Sequence, residues 1–366
     1  MSSAFWMGRA LDNARRARGS TAPNPPVGAV VVRDGAILGE GFTQPVGGAH
    51  AEVRALADCR SRGNDPRGAT MVVTLEPCRH HGRTPPCTDA LLDAGIARVV
   101  VGALDPFEPM CGQSIALLRE AGLEVELGVR GAECERMILG FARSITRGLP
   151  EVTVKTAMSA DGHIATVTGE SQWITGEAAR AVGQQLRAEH DAILVGIQTV
   201  LADDPRLTCR IEGAVSPVPV VLDTRGRFPA GCALDRPGTL VMVGAGHGYA
   251  GNHAEAVEVP VVDGRIELRA ALSTVASRGL HRVLVEGGGE VIRSVLDARM
   301  ADTVEMFVAG TLLPGGRPWV GGPPVDSLAC GLRLALDRVA AVGPDAWITW
   351  RVEHGSPPEV PCSPAS

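Results

Sequence analysis

Apolar positions along this chain alternate between a helical period and short continuous runs. Over residues 4–18 they recur at helical spacing, with Phe5, Met7, Ala10, Leu11 and Ala14 on one face. The turn-rich run Thr21-Ala22-Pro23-Asn24-Pro25-Pro26 ends that helix. Residues 27–32 then read as a short apolar strand, and Asp34-Gly35 as a tight turn into a second strand over 37–41, which makes a hairpin. Further on, the pattern predicts helices over 50–59, 88–94 and 115–121, and strands over 70–75, 98–102 and 124–127. Strands alternating with helices imply a three-layer α/β unit that closes near residue 147.

A second unit begins at residue 151. Strands are predicted over 152–157, 192–195, 218–222, 240–243, 282–286, 304–308 and 347–352, with helices over 178–189 and 291–296, so this unit is also α/β. The expected domains are 1–147 and 151–352, and the Pro- and Ser-rich stretch 353–366 is expected to be a disordered tail.

Composition narrows the function classes. A length of 366 residues admits two domains, and 45% apolar with 21% charged residues fits a globular protein. No apolar run is long enough to span a bilayer, and the opening Met1-Ser2-Ser3-Ala4-Phe5-Trp6 lacks the basic and apolar regions of a secretion signal. The nine scattered cysteines form no disulfide framework, which points to a reducing cytoplasm. A net charge of −6 and 3% aromatics argue against a nucleic-acid substrate, which would call for a basic groove with stacking rings. Of 35 basic side chains only Lys155 is a lysine, which fits either a place where a guanidinium does not serve or chance.

The sharpest chemical signal is His50-Ala51-Glu52, then Pro77-Cys78, then Cys87. One imidazole and two thiolates hold Zn²⁺ with a fourth position open, as catalytic sites do. An H-x-E followed by P-C and a second Cys is a zinc-deaminase signature in which the Glu moves protons and is not a ligand. Thiolate-bound Zn²⁺ lowers the pKa of its water toward neutrality, and Glu52 is placed to carry protons to a ring nitrogen and a departing amine. Taken singly, His50 reads as a core histidine and each Cys as an apolar filler; taken together they do not. A closed structural zinc site needs a fourth ligand, and His80 or His81 is near enough in sequence to supply one.

In the second unit, the predicted strand 282–286 runs into Gly287-Gly288-Gly289 and a helix, a geometry that lets backbone N–H groups meet a phosphate. The spacing is not G-x-G-x-x-G, so a Rossmann fold is unsupported, and a strand–GGG–helix by itself is more often a tight turn. Arg187 and Arg210 suit a sugar phosphate, although Arg187 also fits a solvated helix face. Glu286 ends a buried strand and needs a partner there, such as a nucleobase or Lys155.

The run Thr74-Leu75-Glu76-Pro77-Cys78-Arg79-His80-His81-Gly82-Arg83-Thr84-Pro85-Pro86-Cys87, together with Pro23-Asn24-Pro25-Pro26-Val27-Gly28, resembles the bifunctional riboflavin-biosynthesis deaminase/reductase family. So do Lys155-Thr156-Ala157-Met158-Ser159-Ala160-Asp161-Gly162, Gly169-Glu170-Ser171-Gln172-Trp173-Ile174-Thr175, the segment 199–208 and Val285-Glu286-Gly287-Gly288-Gly289. The resemblance spans nearly the whole chain. It implies a cytidine-deaminase-like three-layer α/β/α domain followed by a dihydrofolate-reductase-like α/β domain, with Zn²⁺ and NADPH as cofactors. Its zinc ligands fall on His50, Cys78 and Cys87 and its proton carrier on Glu52, while Asn24, His80 and Arg83 match positions that hold the pyrimidine or its ribose phosphate. By the same resemblance Ala157, Trp173, Thr199, Asp203, Thr224, Gly288, Gly289, Glu290, Val291, Ile292, Arg293 and Ser294 lie against NADPH. Ser171, Arg187, Leu207, Arg210 and Glu286 lie against the second substrate, and Lys155 is expected at its polar ring groups or ribosyl oxygen.

This family reading implies zinc-dependent deamination of 2,5-diamino-6-ribosylamino-4(3H)-pyrimidinone 5′-phosphate. NADPH reduction of 5-amino-6-ribosylaminouracil 5′-phosphate to the ribityl product follows. The expected partners are small phosphorylated pyrimidines, with neither nucleic acid nor membrane implied and a homo-oligomer compatible. The chain departs from the family's pattern at Thr43, where a histidine is usual, at Ala49, where a proline is usual, and at Asp105-Pro106-Phe107-Glu108, where D-P-N-P is usual. Thr43 and Phe107 keep open a paralogue acting on a related pyrimidine; the other rivals are a nucleic-acid deaminase and a non-catalytic zinc-stabilised protein that binds flavin precursors, for which replacing Glu52 would change nothing.

Overall fold

The computed structural model describes residues 1–79, 85–322 and 327–353. It divides into two compact units, one of residues 1–149 with 277–281, the other of residues 150–276 and 282–366. The expected tail, beyond residue 353, lies outside the described residues. Among the described residues no helix is long and apolar enough to cross a membrane.

The first unit runs α1 (Ser3–Ala17), β1 (Gly28–Arg33), β2 (Ala36–Phe42), α2 (Ala51–Ser61), β3 (Thr70–Leu75), α3 (Cys87–Asp93), β4 (Arg98–Ala103), α4 (Gln113–Glu120), β5 (Glu124–Leu127), α5 (Gly131–Met137) and α6 (Leu139–Arg147). Its five strands are ordered β2-β1-β3-β4-β5, antiparallel from β2 to β3 and parallel from β3 to β5. The apolar stripe of α1 is buried through Trp6, Met7, Ala10, Leu11 and Ala14. Phe5 stays 56% exposed, so it is not part of the buried face the helical spacing predicts.

Glycines set how closely helices approach this sheet. A Cβ on Gly28 would lie 2.0 Å from the Ala10 carbonyl oxygen of α1, and a Cβ on Gly41 would lie 2.4 Å from both the Ala51 oxygen and the Ala55 nitrogen of α2. Gly28 pairs with Phe42 across the hairpin, so Gly28 and Gly41 face opposite sides of the sheet. One helix therefore packs backbone-close on each face, which is the three-layer arrangement. Gly39 repeats the contact one pleat along, against Ala55 and Cys59.

The second unit continues with β6 (Glu151–Ser159), β7 (His163–Ala165), α7 (Glu177–Ala188), β8 (Ala192–Gly196), α8 (Ile197–Asp203), β9 (Val218–Asp223), β10 (Leu240–Gly244), β11 (Glu255–Val259), β12 (Val261–Val262), β13 (Arg265–Ile266) and α9 (Leu268–Ser277). It ends with β14 (Arg282–Val285), α10 (Gly289–Asp297), β15 (Thr303–Ala309), β16 (Arg317–Pro318), β17 (Leu334–Val342) and β18 (Asp345–Val352). Nine strands form one sheet in the order β11-β10-β9-β8-β14-β6-β15-β18-β17. The pairs from β11 to β15 are parallel, and β18 and β17 are antiparallel additions at one edge. Strands β8, β10 and β14 are buried at every position, as parallel strands covered on both faces must be.

The helix–sheet contact yields the first prediction. Gly41→Val places side-chain atoms where the α2 backbone runs, so it is expected to destabilise the first unit by about 1–3 kcal/mol. Denaturant unfolding measures this, and zinc retention by the native fraction should fall with it, because α2 carries His50 at its start.

Candidate active site

His50 is the N-cap of α2, with extended backbone and its carbonyl accepting the Arg54 N–H at 3.0 Å. Sequence spacing puts His50 inside the helix; the cap position instead leaves its ring free of the helical surface. Glu52 sits in the first helical turn and is only 3% exposed. Cys78 follows the end of β3, and Cys87 is the first residue of α3. The Thr88 N–H donates to the Cys78 carbonyl at 3.2 Å, and the Cys87 N–H donates to Cys78 Sγ at 3.3 Å, which fixes the two thiols side by side.

His50 Nδ1 lies 3.5 Å from Cys78 Sγ and 3.4 Å from Cys87 Sγ. The three donor atoms all lie within 4.8 Å of one another, and among the described residues they form the one such group. A soft, compact N/S₂ set of this kind suits Zn²⁺ with one position left over. The Cys87 thiol lowers Cys78, burial opposes it, and His50 and the Cys87 N–H add to the lowering, so Cys78 is the thiol of the pair that ionises first. Burial first, then the Cys78 charge, pushes Glu52 up to about 7, which suits a group that both takes and gives a proton.

These groups open onto a cavity of about 430 Å³ lined by Asn24, His50, Glu52 and Cys78 among others. Cys87 is fully buried behind it. Thr43, Glu76, Asp105 and Phe141 also line the cavity. Thr43 Oγ1 accepts the Val27 N–H at 3.1 Å, so its hydroxyl is engaged in holding the Asn24 turn against β2. His80 and Arg83 lie outside the described residues.

In the second unit Lys155, Ala157, Trp173, Arg187, Arg210 and Glu286 converge on a cavity of about 90 Å³. Arg187 donates to both Glu286 oxygens, Nε to Oε1 at 2.9 Å and Nη2 to Oε2 at 2.8 Å, and Nη1 donates to the Thr208 carbonyl at 3.0 Å. Arg187 therefore does not belong to a solvated helix face. Lys155 Nζ is 3.9 Å from Glu286 Oε2. Burial alone would push the Glu286 carboxyl up, but Lys155 and Arg187 more than offset it and hold it at about 2.

The remaining expected residues lie apart from that cavity's lining. Thr199 and Asp203 stand on α8, and Thr224 follows β9. Gly288 is the N-cap of α10 and has open space where a side chain would be, as a phosphate approach requires. Gly289 instead packs against the backbone of residues 318–321. Glu290, Val291, Ile292, Arg293 and Ser294 follow within α10, where Ile292 is turned into the core at 1% exposure and Arg293 pairs with Asp297 at 2.6 Å. Ser171 precedes Trp173 on the connection from β7 to α7. Leu207 has left-handed backbone, φ 51°, and a buried side chain. Arg180, Gln184 and Phe307 line the cavity without having stood out in the sequence. Arg180 lies over the Trp173 ring at 4.7 Å from its centroid, a pairing that helical spacing alone does not reveal.

Comparison with known proteins closes the question of kinship. Residues 150–348 match the model of the RibD C-terminal domain, and residues 2–103 match the cytidine and deoxycytidylate deaminase zinc-binding region. The chain belongs to the RibD family. The riboflavin biosynthesis protein RibD of Actinobacillus pleuropneumoniae is 36% identical over 96% of both chains, and that of Escherichia coli is 36% identical over 94% of this chain and 98% of its own. The crystal structure of a diaminohydroxyphosphoribosylaminopyrimidine deaminase/5-amino-6-(5-phosphoribosylamino)uracil reductase from Thermotoga maritima superposes with a TM-score of 0.86 at 36% identity, covering 96% of this chain and 98% of that one. Acinetobacter baumannii RibD gives 0.85 at 35% identity, covering 96% and 99%. This RibD chain is therefore a bifunctional riboflavin-biosynthesis enzyme, a deaminase and a reductase acting on small phosphorylated pyrimidines, with Zn²⁺ and NADPH as cofactors. Neither the paralogue reading nor the non-catalytic one is favoured.

Glu286 carries a pH prediction. Its folded pKa of about 2 lies below the ordinary 4.5, so its stabilising contribution is full above about pH 5 and is lost as pH falls toward 2. The difference is worth about 3 kcal/mol at most. Unfolding free energies measured from pH 6 to pH 3 should fall more steeply for the wild-type chain than for Glu286→Gln. Parallel pH profiles would sink the assignment of a buried, doubly paired carboxylate.

Proposed function

We propose that residues 1–147 carry the deaminase and 151–352 the reductase, with the site roles read from the geometry above. His50, Cys78 and Cys87 are the metal ligands, and the observation that carries this is their mutual approach within 4.8 Å beside the cavity. Zn²⁺ bound there supplies Lewis acidity. Glu52 takes a proton from the attacking water and passes it to the ring nitrogen and the departing amine, so that C–NH₂ becomes C=O and ammonia leaves. Asn24, on the cavity wall, offers a donor and an acceptor to the pyrimidine edge. The proposed substrate is 2,5-diamino-6-ribosylamino-4(3H)-pyrimidinone 5′-phosphate, with His80 and Arg83 at its ribose phosphate.

In the reductase, Arg187 and Arg210 are proposed to take the sugar phosphate of 5-amino-6-ribosylaminouracil 5′-phosphate, with Ser171 and Leu207 along it. Glu286 accepts from the base, and Lys155, beside it, contacts ring polar groups or the ribosyl oxygen. Arg187 and Lys155 keep Glu286 ionised, and so an acceptor, throughout. Ala157, Trp173, Thr199, Asp203, Thr224 and the start of α10 are proposed to hold NADPH, whose hydride reduces the ribosyl chain to ribityl. Two thiolate ligands require reduced cysteines, which supports a cytoplasmic location.

Mass spectrometry of products tests the pair of reactions with zinc-loaded chain. An amine should be replaced by oxygen without NADPH, and two hydrogens gained only with it. Glu52→Gln should cut deamination by about 10²–10⁴-fold. It should leave bound zinc and the reductase step unchanged. Undiminished deamination by that variant would remove Glu52 from the proton path.

A further inference from the structure

Glu76 takes no part in the chemistry above, yet it is 5% exposed and lines the deaminase cavity. It stands where β3 ends, two residues before Cys78, and its N–H donates to the Ala103 carbonyl at the matching end of β4 at 2.8 Å. Its carboxylate accepts four hydrogen bonds. Oε2 takes the N–H groups of Asp105 at 3.1 Å and Gly112 at 2.9 Å. Oε1 takes the N–H of Ser114 at 3.1 Å and its hydroxyl at 2.8 Å. All four donors are neutral and belong to the segment that crosses from β4 into α4. The anion also faces the N-terminal end of α4, where the helix dipole favours it.

A second tie runs from the other side of the ligand. Arg79 Nη1 donates to Gln113 Oε1 at 2.7 Å, and Gln113 Nε2 donates to the Pro109 carbonyl at 2.6 Å. The residues flanking Cys78 thus grip the 104–114 segment at both its ends, Gln113 ties its own middle, and Asp105 on that segment lines the cavity.

We propose that Glu76 is a positioning residue of the deaminase: it holds Asp105, and the 104–114 segment that carries it, at the cavity wall in fixed register with the Cys78 segment. The proposal rests on the deaminase reading of this site. A carboxylate is the one short side chain with acceptors enough for both pairs of donors. In Glu76→Gln the amide NH₂ must face one pair; turned toward Ser114 it can donate to the hydroxyl but is left opposed to the Ser114 N–H, so at least one bond is lost while the shape is kept.

The test is steady-state kinetics of the full-length, zinc-loaded chain carrying Glu76→Gln, with zinc stoichiometry and reductase turnover on its own substrate measured alongside. Loss of buried hydrogen bonds to the wall is expected to raise the deaminase KM about tenfold or more. The deaminase kcat should stay within about threefold, since the reacting groups are untouched. Bound zinc and reductase turnover should not change. An unchanged KM overturns the proposal, and so does loss of zinc together with kcat, which would make Glu76 a support of the metal and not of the wall. Should Glu76→Gln fail to fold, Ser114→Ala removes the hydroxyl bond alone and must raise KM in the same direction by a smaller factor; an unmoved KM there overturns the proposal equally. Wild-type activity separates the two levels: an inactive wild type overturns the site reading and this proposal with it, whereas an active wild type with an unmoved variant KM overturns this proposal alone.

Discussion

Two thiolates beside a carboxylate that is 3% exposed are electrostatically costly unless a cation joins them, and an imidazole nitrogen within 4.8 Å of both sulfurs completes a donor set for one. The rest of the first unit follows from that constraint. Cys78 and Cys87 are brought together by backbone hydrogen bonds from the start of α3, and His50 is held at the start of α2. Helix α2 reaches that place only because Gly39 and Gly41 let its backbone rest on β2. The grouping of His50 with Cys78 and Cys87 thus depends on glycines more than thirty residues away from the cysteines. Those three residues carry no information about that dependence.

The second unit solves the same problem with protein charges. Glu286 is a carboxylate at the end of a fully buried strand, and it is tolerated because a guanidinium grips both its oxygens and an ammonium stands 3.9 Å away. The division of labour between the two cations follows from their shapes. Arg187 offers a planar fork that matches a carboxylate, while Lys155 is a compact point charge 3.9 Å from Oε2. In a chain whose other basic side chains are all arginine, that difference in shape is a physical reason for the one lysine.

Much of this was legible from residue order alone, and the exceptions have identifiable causes. Parallel strands such as β8, β10 and β14 are buried on both faces and read as unbroken apolar runs, so the sequence marks them plainly. Strand β17 is an edge strand with most positions exposed, and its apolar residues, interrupted only by Asp337 and Arg338, do not alternate with polar ones, so no period of two appears. The short helices α5 and α8 have too few turns to establish a helical stripe. At the sites, the grouping of His50, Cys78 and Cys87 was legible because rare residue types stand there in a fixed order. Arg180 and Gln184 were not, because a cavity-lining arginine and a solvated one look alike until α7 is placed. Glu76 stands in the same motif as Cys78, but the sequence assigns it no role; only the fold shows four donors turned toward it.

Both sites also share a placement that topology explains. Glu76, Cys78 and Asp105 follow the carboxyl ends of the adjacent parallel strands β3 and β4. Glu286 and Thr224 follow the carboxyl ends of β14 and β9. At such ends the chain must leave the sheet, so side chains there point into a crevice and not into a packed layer, and helix starts nearby add unpaired N–H groups. In the first unit those N–H groups are spent internally on Glu76, and a metal ion supplies the positive charge. In the second, Gly288 leaves the start of α10 open, and the N–H groups remain available to an anionic ligand. One architectural rule therefore yields two chemistries, decided by whether the helix start faces a carboxylate of the chain itself or open space.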